Sequence, residues 1–249
     1  MAPKRARRTA AVRDPWAGKV AVVTGASRGI GKAIAQELAR VGCSVVLASR
    51  TQTTASLAPG TEGAVVQSVA TDVRDPGSVA ELFAKVEREF GRLDVLVNNA
   101  GIIHALAPVD ELTVEVWNDV IATNLNGMFY CTRAALPLMR RGSVIVNNLS
   151  IAAITAFPGL AAYDASKHGA LGFTNSLRED VRERGIRVLA VIEGATNTEI
   201  WEQFMPKADR TKMMTPEAIA SAVLQAISLP LEAPVEEIRL MPFSGTNRS

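Results

Sequence analysis

Residues 19–42 read Lys-Val-Ala-Val-Val-Thr-Gly-Ala-Ser-Arg-Gly-Ile-Gly-Lys-Ala-Ile-Ala-Gln-Glu-Leu-Ala-Arg-Val-Gly, and the order of events in this stretch decides the fold. Lys19–Thr24 is an aliphatic run of strand length. It empties into a turn holding Gly25, Gly29 and Gly31. Ile30, Ile34 and Leu38 then recur every four residues, a helical stripe that Gly42 stops. Strand, glycine turn and helix in that order form the opening of a βαβ unit.

The same alternation continues outward. Ser44–Ala48 reads as a second strand and Ala64–Val69 as a third. Asp75–Phe90 carries Val79, Leu82, Phe83, Val86 and Phe90 on one helical face and ends at Gly91. Leu93–Val97 is a fourth strand, a long helical region covers about Val114–Met139, and Ser143–Val146 starts a fifth strand. A helix over about Tyr163–Glu183, a strand at Arg187–Ile192, a helix after Pro216 and a strand near Glu237–Leu240 complete the series. The pattern predicts an α/β fold: a single-domain, Rossmann-type doubly wound sheet of about seven mostly parallel strands, with helices on both faces. Only 51–63 and 195–215 are substantial irregular stretches, too short to be domains.

Composition agrees. Of 249 residues, 48% are hydrophobic but only 5% aromatic, an aliphatic profile that suits a buried parallel sheet and excludes wholesale disorder. Cys43 and Cys131 have no CxxC partner, and His104 and His168 are the only histidines. A disulfide framework and a Cys- or His-rich metal centre are therefore not expected, and a reducing compartment is.

The net charge of +2 hides an asymmetry. Residues 1–19 hold six cations against Asp14, a net +5, which leaves the other 230 residues at −3. The expected organisation is a basic, flexible tail over 1–17 and one domain over 18–249. A mildly acidic body does not suit nucleic acid. The tail lacks an apolar run of signal-peptide length, so a cytoplasmic protein is expected. Ser143–Tyr163 carries no charge, but Asn147, Asn148, Ser150, Thr155, Pro158 and Gly159 interrupt it. Adjacent amides are costly in lipid, so it reads as a core strand running into a loop.

Three glycines at a strand-to-helix turn let backbone approach a pyrophosphate, which then sits on the helix N-terminus. The spacing here is Gly-x₃-Gly-x-Gly. A carboxylate at the end of the second strand would favour NAD through the ribose 2′-hydroxyl. This chain has Ala48-Ser49-Arg50 there, and no carboxylate follows before Glu62. Arg50 suits a 2′-phosphate, with Ser27, Arg28 and Ser49 to assist, so NADP(H) is the expected cofactor.

Tyr163-Asp164-Ala165-Ser166-Lys167 puts Tyr163 and Lys167 on one helical face. A phenol titrates near about 10, and a lysine cation beside it would lower that value. Ser150 lies beyond a strand end, placed to reach a substrate carbonyl. Asn98-Asn99-Ala100-Gly101 follows the fourth strand, and Asn124 interrupts a helical run. With Thr24–Gly31, this set resembles the short-chain dehydrogenase/reductase family over roughly residues 18–242.

The resemblance implies roles. Tyr163 would be general acid/base, Lys167 would depress its pKa and bind the nicotinamide ribose, and Ser150 would polarise the carbonyl. Asn124 would hold a water in a proton relay with Lys167. Cofactor binding would fall to Gly25, Ser27, Arg28, Gly29, Ile30 and Gly31 in the turn, with Ser49 and Arg50. Asp72 and Val73 would meet the adenine, although Asp72 equally suits a turn cap. Asn98 would steady the sheet while Ala100 and Gly101 admit the cofactor closely. Gly194, Thr196 and Thr198 would hold the nicotinamide side.

One departure stands out. The family commonly has Pro-Gly after the sixth strand, and this chain has Glu193-Gly194. An exposed Glu193 would be innocuous. One facing the nicotinamide would favour its positive, oxidised ring.

On the substrate side, Ile102, Ile103, His104, Ala105 and Leu106 and the 151–160 loop with Phe157 would line the pocket. His104 reads as a pocket or loop residue. Ile200, Trp201, Phe204 and Met205 have helix-compatible spacing, either an apolar lid or ordinary packing and subunit contact. No basic cluster marks a strongly anionic substrate. The leading expectation is an NADP(H)-dependent oxidoreductase acting on an apolar carbonyl or alcohol, as a homodimer or homotetramer. The alternatives are a β-ketoacyl thioester reductase, whose common Val-Asp-Gly-Gly-like ending is missing at 236–242, and a non-catalytic NADP(H) sensor.

Overall fold

The computed structural model describes residues 15–51, 60 and 63–243. The basic run Lys4–Arg8 and most of the 51–63 loop lie outside them. The chain runs β1 (Val20–Thr24), α1 (Gly29–Arg40), β2 (Ser44–Ser49), β3 (Val66–Ala70), α2 (Pro76–Phe90) and β4 (Leu93–Asn98). It continues with α3 (Val114–Ile121), α4 (Gly127–Ala135), β5 (Met139–Asn148), α5 (Ala161–Val181) and β6 (Arg187–Glu193). α6 (Trp201–Phe204), α7 (Pro216–Ser228) and β7 (Glu237–Leu240) close it.

The seven strands form one sheet in the order β3-β2-β1-β4-β5-β6-β7. Every pairing is parallel, so the expected "mostly parallel" sheet is wholly so. Strand order reverses between β1 and β4, and ligands in such sheets bind in the crevice beyond the strand ends at that point.

β1, β2 and β4 are buried at every position because helices cover both faces, which is why they read as unbroken aliphatic runs. On one face Ala33, Ile34 and Leu38 of α1 and Ile219 and Val223 of α7 pack on Val23, Val45 and Val97. On the other, Leu82 and Phe83 of α2, Cys131 of α4 and Leu177 of α5 pack on Val22, Leu96 and Ile145. Full burial of each large side chain contributes roughly 1.5–3 kcal/mol.

Helix ends follow local chemistry. Asp75 caps α2 through bonds from the Gly77 and Ser78 N–H groups, Pro76 opens it, and Gly91 ends it at φ +64°. The long helix expected over 114–139 is broken. α3 passes into a π-helical turn at Ala122–Asn126 before α4 begins, and Met139 already belongs to β5.

Candidate active site

A cleft of about 1670 Å³ opens beyond the strand ends, and the glycine turn, the 151–160 loop and the 194–212 segment line it. Single-ligand pockets are usually about 300–1,000 Å³, so there is room for a large ligand and a second molecule.

At one end β1 runs into the glycine turn. Gly25 has φ +64°, and a Cβ there would stand 2.8 Å from Ala100 Cα. Thr24 Oγ1 accepts from the Asn99 and Ala100 N–H groups, both at 3.0 Å, and the Asn99 side-chain amide donates to Thr24 O at 3.0 Å. A Cβ on Gly31 would collide with that Asn99 amide. Asn99, quoted in the sequence only as part of a run, is therefore the post that holds the turn. No side chain caps α1, and its first turn has no acidic residue.

Ser27, Arg28, Gly29, Ile30, Ser49 and Arg50 line this end, with Asp72 and Val73 opposite. Two expected cofactor contacts are not in the lining. Gly31 is taken up by packing under the turn. Asn98 is buried, its amide donating to Thr132 Oγ1 and Asn147 Oδ1, so it ties β4 to β5 and α4. Asp72 is gripped by a residue that sequence reasoning missed. The Arg74 guanidinium bonds both its carboxylate oxygens, at 2.7 to 3.1 Å, and holds the carboxyl below its ordinary range. Arg74 also lines the cleft, so three arginines and one neutralised acid surround this end.

At the other end stand Ser150, Tyr163 and Lys167. Ser150 follows β5 by two residues and is the only non-glycine residue with positive φ among those described, at +144°. Its Oγ accepts from the Ala152 N–H at 3.2 Å, and its hydroxyl hydrogen-bonds that of Tyr163. One α-turn beyond Tyr163, Lys167 Nζ donates to Asn148 O at 3.3 Å and lies 5.6 Å from the phenol ring centre.

The electrostatics depart from expectation. Burial pushes the Tyr163 phenol above its ordinary range, the Glu193 carboxylate pushes it further, and only the Ser150 hydrogen bond acts strongly the other way. Burial lowers the Lys167 ammonium itself, against the pull of Glu193. The phenol is thereby held in its protonated form.

Asn124 does not line the cleft. Its Oδ1 accepts from Ile102 N at 2.8 Å, and its Nδ2 donates to Ile102 O at 2.9 Å and Ser166 Oγ at 3.0 Å. Both amide hydrogens are committed, so the side chain fastens the loop after β4 to α5. Asp164, next to Tyr163, accepts from Phe157 N at 2.6 Å and so pins the loop over the cleft, another role the sequence did not reveal.

Glu193, Gly194, Thr196 and Thr198 line the cleft. Glu193 is 9% exposed, and its Oε2 has no hydrogen-bond partner. Ile200, Trp201, Phe204 and Met205 all line it too, as an apolar lid requires. Trp201 donates to Thr196 O at 2.8 Å and stacks on Phe204 at 4.8 Å. Ile102, Ile103, Leu106 and Phe157 are in the wall, whereas His104 is buried behind it with Nδ1 on Ala105 O. Among the described residues no group of three His, Cys, Asp or Glu side chains is placed to hold a metal ion, and no helix is long and apolar enough to cross a membrane.

Comparison with known proteins agrees with this geometry. Residues 19–209 match the family described as short chain dehydrogenase. The chain is 39% identical over 189 residues to the 3beta-hydroxysteroid dehydrogenase of Mediterraneibacter gnavus, covering 74% of this chain and 68% of that one. It is 38% identical over 189 residues to the 3-oxoacyl acyl-carrier-protein reductase FabG of Escherichia coli, covering 74% and 75%. A metagenomic short-chain oxidoreductase crystallised with NADP superposes with a TM-score of 0.78 at 31% identity, covering 91% of this chain and 98% of that one.

Proposed function

The chain belongs to the short-chain dehydrogenase family, and from that premise we propose that it is an NADP(H)-dependent oxidoreductase interconverting an apolar ketone or aldehyde with its alcohol. The observation that carries this reading is the hydrogen-bonded Ser150–Tyr163 pair, with Lys167 one turn on, sharing one cleft with the glycine turn.

The residues present fit the dinucleotide. Gly25 and Gly31 keep the turn flat where any Cβ would strike Ala100 or Asn99, and the uncapped α1 N-terminus suits phosphate oxygens. Arg28 and Arg50, with Ser27 and Ser49, would hold the 2′-phosphate end, and the Arg74 clamp removes the repulsion Asp72 would exert there. The related structure crystallised with NADP supports the same choice. When bound, the coenzyme supplies or takes up the hydride.

The chain's own groups handle the proton. Ser150 polarises the substrate oxygen. Tyr163, protonated in the cleft, gives its hydroxyl proton to that oxygen as negative charge develops on it. The Lys167 ammonium stabilises the phenolate left behind. In the oxidising direction Tyr163 takes the proton back. Trp201, Phe204, Ile103 and Leu106 provide an apolar wall for the rest of the substrate, consistent with the steroid alcohol dehydrogenase among its relatives.

The test is coenzyme turnover by the full chain with a panel of apolar ketones, aldehydes and alcohols. Tyr163→Phe is expected to lower kcat by about 10² to 10⁴ while leaving NADPH binding intact. Coenzyme binding without turnover on any substrate, indifferent to that substitution, overturns the reading in favour of a sensor. Better efficiency with NADH overturns the cofactor assignment. A second reading, reduction of a β-ketoacyl thioester, draws on the similarity to FabG and on Lys207 at the lid end, a cation suited to an anionic carrier. A β-ketoacyl thioester in the panel separates the two.

A further inference from the structure

We propose that Glu193 distinguishes the two redox forms of the coenzyme: its carboxylate, buried in the cleft wall, favours the cationic ring of NADP⁺ over the neutral ring of NADPH. The inference rests on the reading above, which puts the nicotinamide beside Tyr163 and Lys167.

Glu193 is the last residue of β6, at the strand end that opens into the cleft, and it lines that cleft together with Tyr163, Lys167 and Gly194. Its side chain is nine-tenths buried, and Oε2 is shut away from water with no donor. Among the described residues no ion pair within 4.0 Å claims it. Its cationic neighbour, Lys167, attracts it through space while donating a hydrogen bond to Asn148 O.

The surroundings offer little else. α5 faces it with Lys167 and the neutral Tyr163, and β5 with the uncharged Asn148 and Ser150. Arg239 of β7 is bound to Glu237, and the lid contributes another acid, Glu199, with Lys207, Asp209 and Lys212 further along it. A buried carboxylate without a full set of partners is expensive. A cation entering the cleft would add a second attraction to the one Lys167 supplies.

The consequence is directional. As a hydride leaves for the substrate carbon with its electron pair, the ring it leaves becomes positive, and Glu193 gains in interaction over that step. A protonated Tyr163 points the same way. Both groups poise the site for carbonyl reduction and for holding NADP⁺ afterwards. Burial pushes the Glu193 carboxyl up to about 7, so at pH 8 it carries its charge and near pH 7 a cationic ring would draw its proton off.

The experiment is calorimetric titration of the full chain with NADP⁺ and with NADPH at pH 8, for the wild type and for Glu193→Gln. The substitution is expected to weaken NADP⁺ roughly tenfold and to change NADPH less than twofold, as a charge effect at short range in a partly dry site would. Equal weakening of both forms, as from a lost hydrogen bond to the carboxamide, overturns the proposal, and so does no change in either. Should the variant fail to fold, the wild type decides: its NADP⁺ affinity should tighten between pH 6 and pH 8 while its NADPH affinity stays level, and parallel profiles overturn the proposal. A wild type that binds neither form defeats the coenzyme reading itself, a distinct result.

Discussion

Ser150 sits at φ +144° and ψ +160°, in a region essentially reserved for glycine, where a side chain costs roughly 1–3 kcal/mol. The hydroxyl that requires this strain also holds Tyr163. Ser150→Ala and Ser150→Gly are both expected to lower kcat by at least about 10². The glycine variant should be the more stable of the two by about 1 kcal/mol, despite its looser unfolded chain, in parallel denaturant melts. Glu193 gives a second prediction. Its carboxyl titrates above the ordinary glutamate range in the folded protein, so the stability it contributes is present below about pH 4 and is lost as pH rises to about 7. The melting temperature of Glu193→Gln should therefore gain on wild type as pH rises from 5 to 8. At this scale the sequence was legible where spacing carries meaning, as for Tyr163 with Lys167. Asn99, Arg74 and Asp164 were missed because their partners, Thr24 O, Asp72 and Phe157 N, are set by turn geometry that residue types do not display.

Between α3 and α4 the sequence of 114–139 marks an interruption only through Asn124, and nothing in it specifies a π turn at Ala122–Asn126. The break is made from outside, by the Asn124 side chain reaching Ile102 and Ser166. Asn124→Ala would leave partly buried backbone groups of Ile102 without their side-chain partner, a loss of about 2 kcal/mol by denaturant unfolding. It should also lower kcat more than it raises KM, because the loop carrying Gly101 beside Lys167 would no longer be anchored. Strands were the easier elements. Their aliphatic runs are dictated by burial on two faces, and several differ only by one residue at the end, Ser49, Asn98 and Glu193, whereas β5 starts four residues before the expected Ser143, at the polar Met139–Gly142 stretch. Those end residues are the ones that turn toward the cleft or its supports, where polarity replaces the core pattern.

The two-faced sheet encloses both thiols, and burial pushes Cys43 and Cys131 up to about 12. Neither should react with a disulfide reagent in the native protein, and both should react on unfolding, so labelling in rising denaturant should track the loss of the sheet in one step. The outer surface suggests assembly. Trp117 of α3 and Phe129 of α4 are 39% and 44% exposed, and Phe129 meets Phe173 of α5 edge-on. For the dimer expected through these helices, Phe129→Arg should shift sedimentation toward the monomer while leaving the far-ultraviolet dichroism unchanged. Finally, Thr198 at the root of the lid rests on the glycine turn, where a Cβ on Gly29 would stand 3.1 Å from its Cγ2. The floor of the dinucleotide seat and the hinge of the substrate's cover are thus one contact. For the proposed oxidoreductase, coenzyme seated on that turn would press on the root of the lid, so initial-rate patterns are expected to show ordered addition with coenzyme first and the carbonyl second.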